Sequence, residues 1–171
     1  LILKDLDTLR KINRIGAAVS FTITTTDDEL AKKIEPYAPP PSRRLEALKV
    51  LAGVGIETRI AMMPILPFIE DTEENITTIV RRAHECGVGT IIPWFGMSLR
   101  DRQRAYYYRE LDKSFPGLRR EYEQTFGDRY QCASPNADRL ANVFYTLCKE
   151  YAIATSVKPY TPERATQLGL F

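Results

Sequence analysis

Histidine and tryptophan occur once each, as His84 and Trp94, and cysteine three times, as Cys86, Cys132 and Cys148. A single histidine excludes a His-rich metal site and a catalytic pair of imidazoles. Three scattered cysteines with no CxxC or CxxxCxxC grouping exclude a zinc ribbon or a locally held iron–sulfur cluster. An odd, sparse set also argues against a disulfide framework and for a reducing, cytoplasmic setting. Charge of one sign is missing too. Lys and Arg number 24 against 22 Asp and Glu, and the net charge of +2 gives no global signature of nucleic-acid binding. No apolar run approaches the roughly 20 residues of a membrane-spanning helix, so no membrane partner is expected. The first residues lack the basic head and cleavage site of a signal peptide. The chain begins at Leu1 rather than Met, inside an expected helix, as an excised piece of a longer protein would.

What is present is a repeated helix–strand pattern, organised around residues 17–67. The first strand is expected over Ala17 to Thr25. Val19, Phe21 and Ile23 alternate with Ser20, Thr22 and Thr24, so one face is bulky and the other lined with hydroxyls. A parallel strand covered by helices should be apolar on both faces. A hydroxyl row fits a lumen or crevice that meets a polar ligand, and β-branched Thr also suits strands for its own sake. The second strand is expected over Ile56 to Met63, stopped by Pro64. Between them come a short helical turn from Asp27 to Ile34 and, beyond Pro36 and Pro39–Pro41, a helix from Ser42 to about Gly53. Its expected N-cap is Ser42, and its apolar stripe is Leu45, Leu48, Leu51 and Ala52. Leu3 to Asn13 reads as the helix that precedes the first strand.

A further helix is expected to start at Asp71, with Ile76, Ile79, Val80 and Ala83 at i, i+3, i+4 and i+7. Thr90 to Phe95 reads as a third strand, which places Trp94 and Phe95 at its carboxyl end. Ligands in parallel α/β folds meet the carboxyl ends of strands. His84 falls on a helix flank away from those ends. Beyond Gly96 the spacing predicts helices over Ser98 to Ser114 and Leu118 to Phe126, a loop from Tyr130 to Asn136, and an amphipathic helix carrying Leu140, Val143, Phe144, Leu147 and Cys148. In the loop, Cys132 stands near that helix's N-terminus, where a thiol pKa can fall. Arg and Tyr are interleaved over residues 100–129, a mixture that suits nucleic acid but also a salt-laced solvated face. Ile153 to Val157 reads as a last short strand, and the tail from Lys158 as loose, with a helical turn near residues 162–167.

The order VSFTITTTDDELAKKIEP, then APPPSRRLEALKVLAGVGIETRIAMMPILP, then the helix after Asp71 and GVGTIIPWF resembles radical S-adenosylmethionine enzymes of the spore photoproduct lyase-like group. The similarity runs over roughly residues 3–151. It implies an α/β fold whose parallel βα units form part of a TIM-like, partial (β/α)6 barrel. Residues 1–97 would be the C-terminal half of the barrel, 98–157 a helical extension and 158–171 the tail. The resemblance also implies S-adenosylmethionine and a [4Fe–4S] cluster in the parent protein, with no cluster held by this piece. Thr22, with Ser20 and Thr24 beside it, matches the ribose side of the cofactor site, and Met63 the adenine side. The implied partners are the missing N-terminal half, a nucleic-acid substrate, and a second copy paired through the free sheet edge. A non-catalytic α/β domain that binds a partner through its Arg/Tyr-rich helices is the rival expectation.

Overall fold

A computed structural model describes residues 2–157. A 3-10 turn, Ile2–Asp5, runs into α1, Leu6–Ile12, and the chain then enters β1, Ala18–Thr22. Three further helices and two strands complete the main layer: α2, Asp28–Ile34; α3, Pro41–Gly53; β2, Glu57–Met62; α4, Glu73–Glu85; and β3, Thr90–Pro93. The strands lie in the order β1-β2-β3, all parallel, as the helix–strand alternation requires. Phe21, Ile60 and Ile91 stand in register across them. The expected strand over Ile153 to Val157 is reduced to one parallel bridge, Ala154 to Thr90.

The helices lie on one face. Ile23, Ile60, Met62 and Ile91 are buried there with Leu45 and Leu48 of α3 and with Ile76, Ile79 and Val80 of α4. Phe21, expected to be buried, is only half-buried, because β1 is an edge strand. At the start of the sheet, Val19, Leu51 and Ile56 pack with Leu6 and Leu9 of α1.

Several element ends differ from the sequence expectation. Ser42 does not cap α3. The helix starts at Pro41, whose fixed φ suits the first turn, and the Ser42 hydroxyl and N–H both donate to Asp28, at 2.6 and 3.0 Å. Asp71 does not open α4. Thr72 caps it by accepting from Asn75 N at 3.2 Å, while Asp71 is buried and accepts from the Ser134 hydroxyl. The first strand stops at Thr22 rather than Thr25, and the third at Pro93 rather than Phe95.

The rest of the chain adds a second small core. β4, Gly96–Ser98, leads to α5, Asp101–Ser114, and α6, Leu118–Phe126; β5, Gln131–Ala133, then returns antiparallel to β4. The stretch expected to be a loop from Tyr130 to Asn136 thus contains a strand. Met97, Leu99, Tyr108, Tyr122, Phe126 and Cys132 form this core. The final helix, α7, Ala137–Glu150, goes back to the first core, where Leu140, Phe144 and Cys148 pack beside α4. The tail beyond Val157 and its expected helical turn lie outside the described residues.

Candidate functional site

The sheet has two unlike faces. Along β2, Thr58, Ile60 and Met62 are buried under the helices, whereas Glu57, Arg59 and Ala61 alternate to the other side. The register sets Ser20 beside Arg59, and Thr22 beside Ala61, which in turn stands beside Ile92. Ser20 is exposed, and Thr22, Ala61, Met63 and Ile92 are half-buried. The hydrophobic clusters of α1, α3, α4 and α7 lie on the first face, while on the second Thr90, in register with Arg59, is buried. Parallel sheets are ordinarily covered on both faces.

Of the four residues expected at the site, Ser20, Thr22 and Met63 fall on this open face. Thr24 does not. The strand has ended before it, and Thr24 is buried, its carbonyl accepting from Asn75 Nδ2 at 2.8 Å. Arg59, not singled out by sequence, joins the face, and Trp94, expected at the carboxyl end of the third strand, lies at its rim. Arg59 is in ionic contact with Glu57 at 2.7 Å. Trp94 follows β3 at the carboxyl rim, is 40% exposed, and donates from its backbone N–H to Met62 O at 3.1 Å. Period-two alternation along β2 would have found Arg59, once the sheet order was known.

Beside Thr22, the free edge of β1 borders a groove of about 970 Å3 lined by Ile2, Leu3, Phe21, Pro40 and Ala47 among others. Arg44 closes one end of it. Its guanidinium donates to Thr22 O and Pro39 O, both at 2.7 Å, and pairs with Glu35. Each of the three guanidinium nitrogens is thereby engaged in holding α2, α3 and the β1 end together.

The rim at the carboxyl ends of β1 and β2 is a buried polar cluster. Glu70 is 1% exposed, Asp71 4%, Thr25 3% and Ser134 5%. Glu70 Oε2 accepts from Leu66 N at 3.0 Å, and Oε1 has no hydrogen-bond partner. Burial raises its pKa to about 7, against the pull of the Thr24 hydroxyl and the Leu66 N–H. Asn75 ties the cluster together by donating to Thr24 O and Glu70 O, each at 2.8 Å. Next to it Tyr107 donates to Tyr122 and Tyr122 to Pro67 O, at 3.0 and 2.6 Å. Burial pushes Tyr107 up to about 12 and Tyr122 higher still.

The three cysteines lie in three different elements. All three are buried, Cys86 at the end of α4, Cys132 in β5 and Cys148 in α7. Burial raises the Cys132 thiol instead of lowering it, because the residue belongs to β5 and not to the first turn of α7. Among the described residues no three His, Cys, Asp or Glu side chains converge as metal ligands. These residues therefore do not fit an iron–sulfur cluster, whereas the open face does offer hydroxyls and apolar contacts for a polar organic cofactor. His84 stacks on Tyr151 at 4.6 Å, away from the rim.

On the Arg/Tyr-rich helices the charges are largely matched. Arg119 pairs with Asp112 and Glu123, and Lys113 with Glu110. Arg104 donates to Gly127 O and Arg129 O at 2.6 and 2.7 Å, anchoring the chain between α6 and β5. None of the described helices is long and apolar enough to cross a membrane.

No family model matches the chain, and no solved structure matches it. It is similar to an uncharacterized protein of Mycobacterium tuberculosis (strain H37Rv), 22% identical over 155 residues, which are 91% of this chain and 45% of that protein. An uncharacterized protein of Acidianus two-tailed virus is 33% identical over 105 residues, 60% of this chain and 34% of its own length. An uncharacterized protein of Methanocaldococcus jannaschii is 37% identical over 73 residues, 43% of this chain and 27% of its own length. The chain thus spans less than half the length of these curated relatives.

Proposed function

We propose that this chain is the C-terminal part of a radical S-adenosylmethionine enzyme of the spore photoproduct lyase-like group, and that the open face of its sheet is part of the lumen of a partial (β/α)6 barrel. The carrying observation is a parallel sheet packed with helices on one face, whose other face bears an exposed Ser20 and half-buried Thr22, Ala61 and Ile92 outside the hydrophobic clusters. A lumen explains why that face is polar at β1 and only moderately apolar at Ala61, Met63 and Ile92. The groove along β1 is where a preceding strand–helix unit would continue the sheet. The relatives, each longer than this chain, leave room for that unit.

The bound cofactor would supply the hydrogen-abstracting chemistry; the protein binds, orients and excludes water. On this reading Thr22 donates a hydrogen bond to S-adenosylmethionine, Ser20 stands beside it, and Met63 and Ala61 give apolar contact at the adenine side. The cluster is held by the preceding half, since no cysteine here is placed for it. A nucleic-acid lesion is the substrate class that the resemblance suggests, in a cytoplasmic enzyme.

The test belongs in the longer protein. Thr22→Val keeps the side-chain shape and removes one neutral hydrogen bond of about 0.5–1.5 kcal/mol, so affinity for S-adenosylmethionine should fall roughly two- to twelve-fold by calorimetric titration. Unchanged affinity in a folded variant removes Thr22 from the site. A parent chain without three cysteines at CxxxCxxC spacing upstream would replace this reading by the partner-binding domain.

A further inference from the structure

The loop of residues 64–71 joins the site to the second core, and one side chain in it has no satisfied role. Glu70 is buried at the carboxyl ends of β1 and β2 with one oxygen bonded to Leu66 N and the other unpartnered. A buried, unpaired carboxylate is strongly disfavoured, and a neutral acid much less so. The groups that face it supply no compensating cation. Glu35 approaches from the end of α2 and Asp71 from the same loop, both acidic. Tyr107 approaches from α5, but its hydroxyl proton is directed to Tyr122. Thr24 offers only a hydroxyl from beyond β1. Arg44 is already bound to Glu35, Thr22 O and Pro39 O.

We propose that Glu70 is a proton-operated latch on this loop: with the carboxyl protonated, the side chain stays in the core and closes the loop onto Leu66, and with the proton released to solvent the side chain leaves and the loop opens at the rim of the open face. The loop is short and tied at both ends. Ile65 N donates to Trp94 O at 3.1 Å, and Asn75 holds Glu70 O. Movement at Glu70 therefore reaches Met63 and Trp94, which flank the open face. The latch does not depend on which cofactor or partner that face receives.

Trp94 is the single tryptophan and is half-exposed, so its fluorescence reports the loop directly. Titrating the intact chain from about pH 5.5 to 8.5 should give one sigmoidal change with a midpoint near 7. Glu70→Gln should remove that change and keep the low-pH signal throughout. His84→Gln should leave it in place, which separates Glu70 from the lone histidine. A flat wild-type profile, a midpoint unchanged in Glu70→Gln, or loss of the change in His84→Gln overturns the proposal. Should Glu70→Gln fail to fold, carbon NMR of the Glu70 carboxyl in the wild-type chain decides: a midpoint near 7 supports the latch, and one in the ordinary glutamate range near 4 rejects it.

Discussion

Phe68 adopts a backbone φ of 63°, in the left-handed region where a side chain is disfavoured. Its ring explains why it is there. It meets Tyr122 edge-on at 5.4 Å and Phe126 at 5.8 Å, so the loop after β2 inserts an aromatic into the second core. Two terms of opposite sign act at one position, and a pair of variants separates them. Phe68→Ala should lose about 2 kcal/mol, less than the roughly 3–5 of a fully buried Phe because the ring is half-buried. Phe68→Gly removes the same ring but also relieves the left-handed strain, and should be about 1 kcal/mol more stable than Phe68→Ala. Chemical denaturation of the two variants side by side checks the order; Ala equal to or above Gly would show that the backbone strain is absorbed elsewhere.

At the scale of elements, α5 and α6 are fastened to the rim by a chain of hydroxyls, Tyr107 to Tyr122 to Pro67 O. Tyr122→Phe deletes the middle link and leaves a buried carbonyl and a hydroxyl short of a partner. A loss of about 1–3 kcal/mol is expected, and Tyr107, without the hydrogen bond to Tyr122 that favours its ionised form, should become harder to ionise. Thermal unfolding of Tyr122→Phe against the wild type measures it, and an unchanged midpoint would mean that ring packing alone docks α6.

The same scale shows what a single sequence discloses. α4 and α6 were legible because their stripes repeat every three to four residues, and α6 has Gly117 and Gly127 at its ends. β1 and β2 were legible from alternation and from Pro64. The small sheet of β4 and β5 was not. Each strand has three residues, too few for a period, and they pair across two intervening helices. Gly96 read as the end of the third strand, yet its role is close approach: a Cβ there would lie 2.7 Å from Cys132 O. Strand ends misled in the same way at Thr24. The alternation that puts Thr22 on the open face says nothing of where the ladder stops, and Thr24 and Glu70, far apart in the chain, meet at the rim, where Asn75 donates to both carbonyls.

For the whole molecule, the free edge of β1 and the open face beside it form one continuous surface. An exposed strand edge pairs readily with another chain. In the absence of a preceding barrel half, the isolated chain should associate through β1, and sedimentation velocity over a wide concentration range should show it. A clean monomer at high concentration would indicate that the edge is protected. Substituting Ser20, exposed on β1, by Lys should weaken the association while leaving unfolding nearly unchanged.

The single bridge at Ala154 gives that association a stoichiometry. On the far side of the sheet, Ile91 N donates to Ala154 O, and Ala154 N to Gly89 O, so the outer edge of β3 is already blunted by the chain's own return. A sheet with one sticky margin and one stopped margin has a valence of one. Copies joined at β1 across a two-fold axis consume each other's valence and close as a pair, with no end left to elongate a filament.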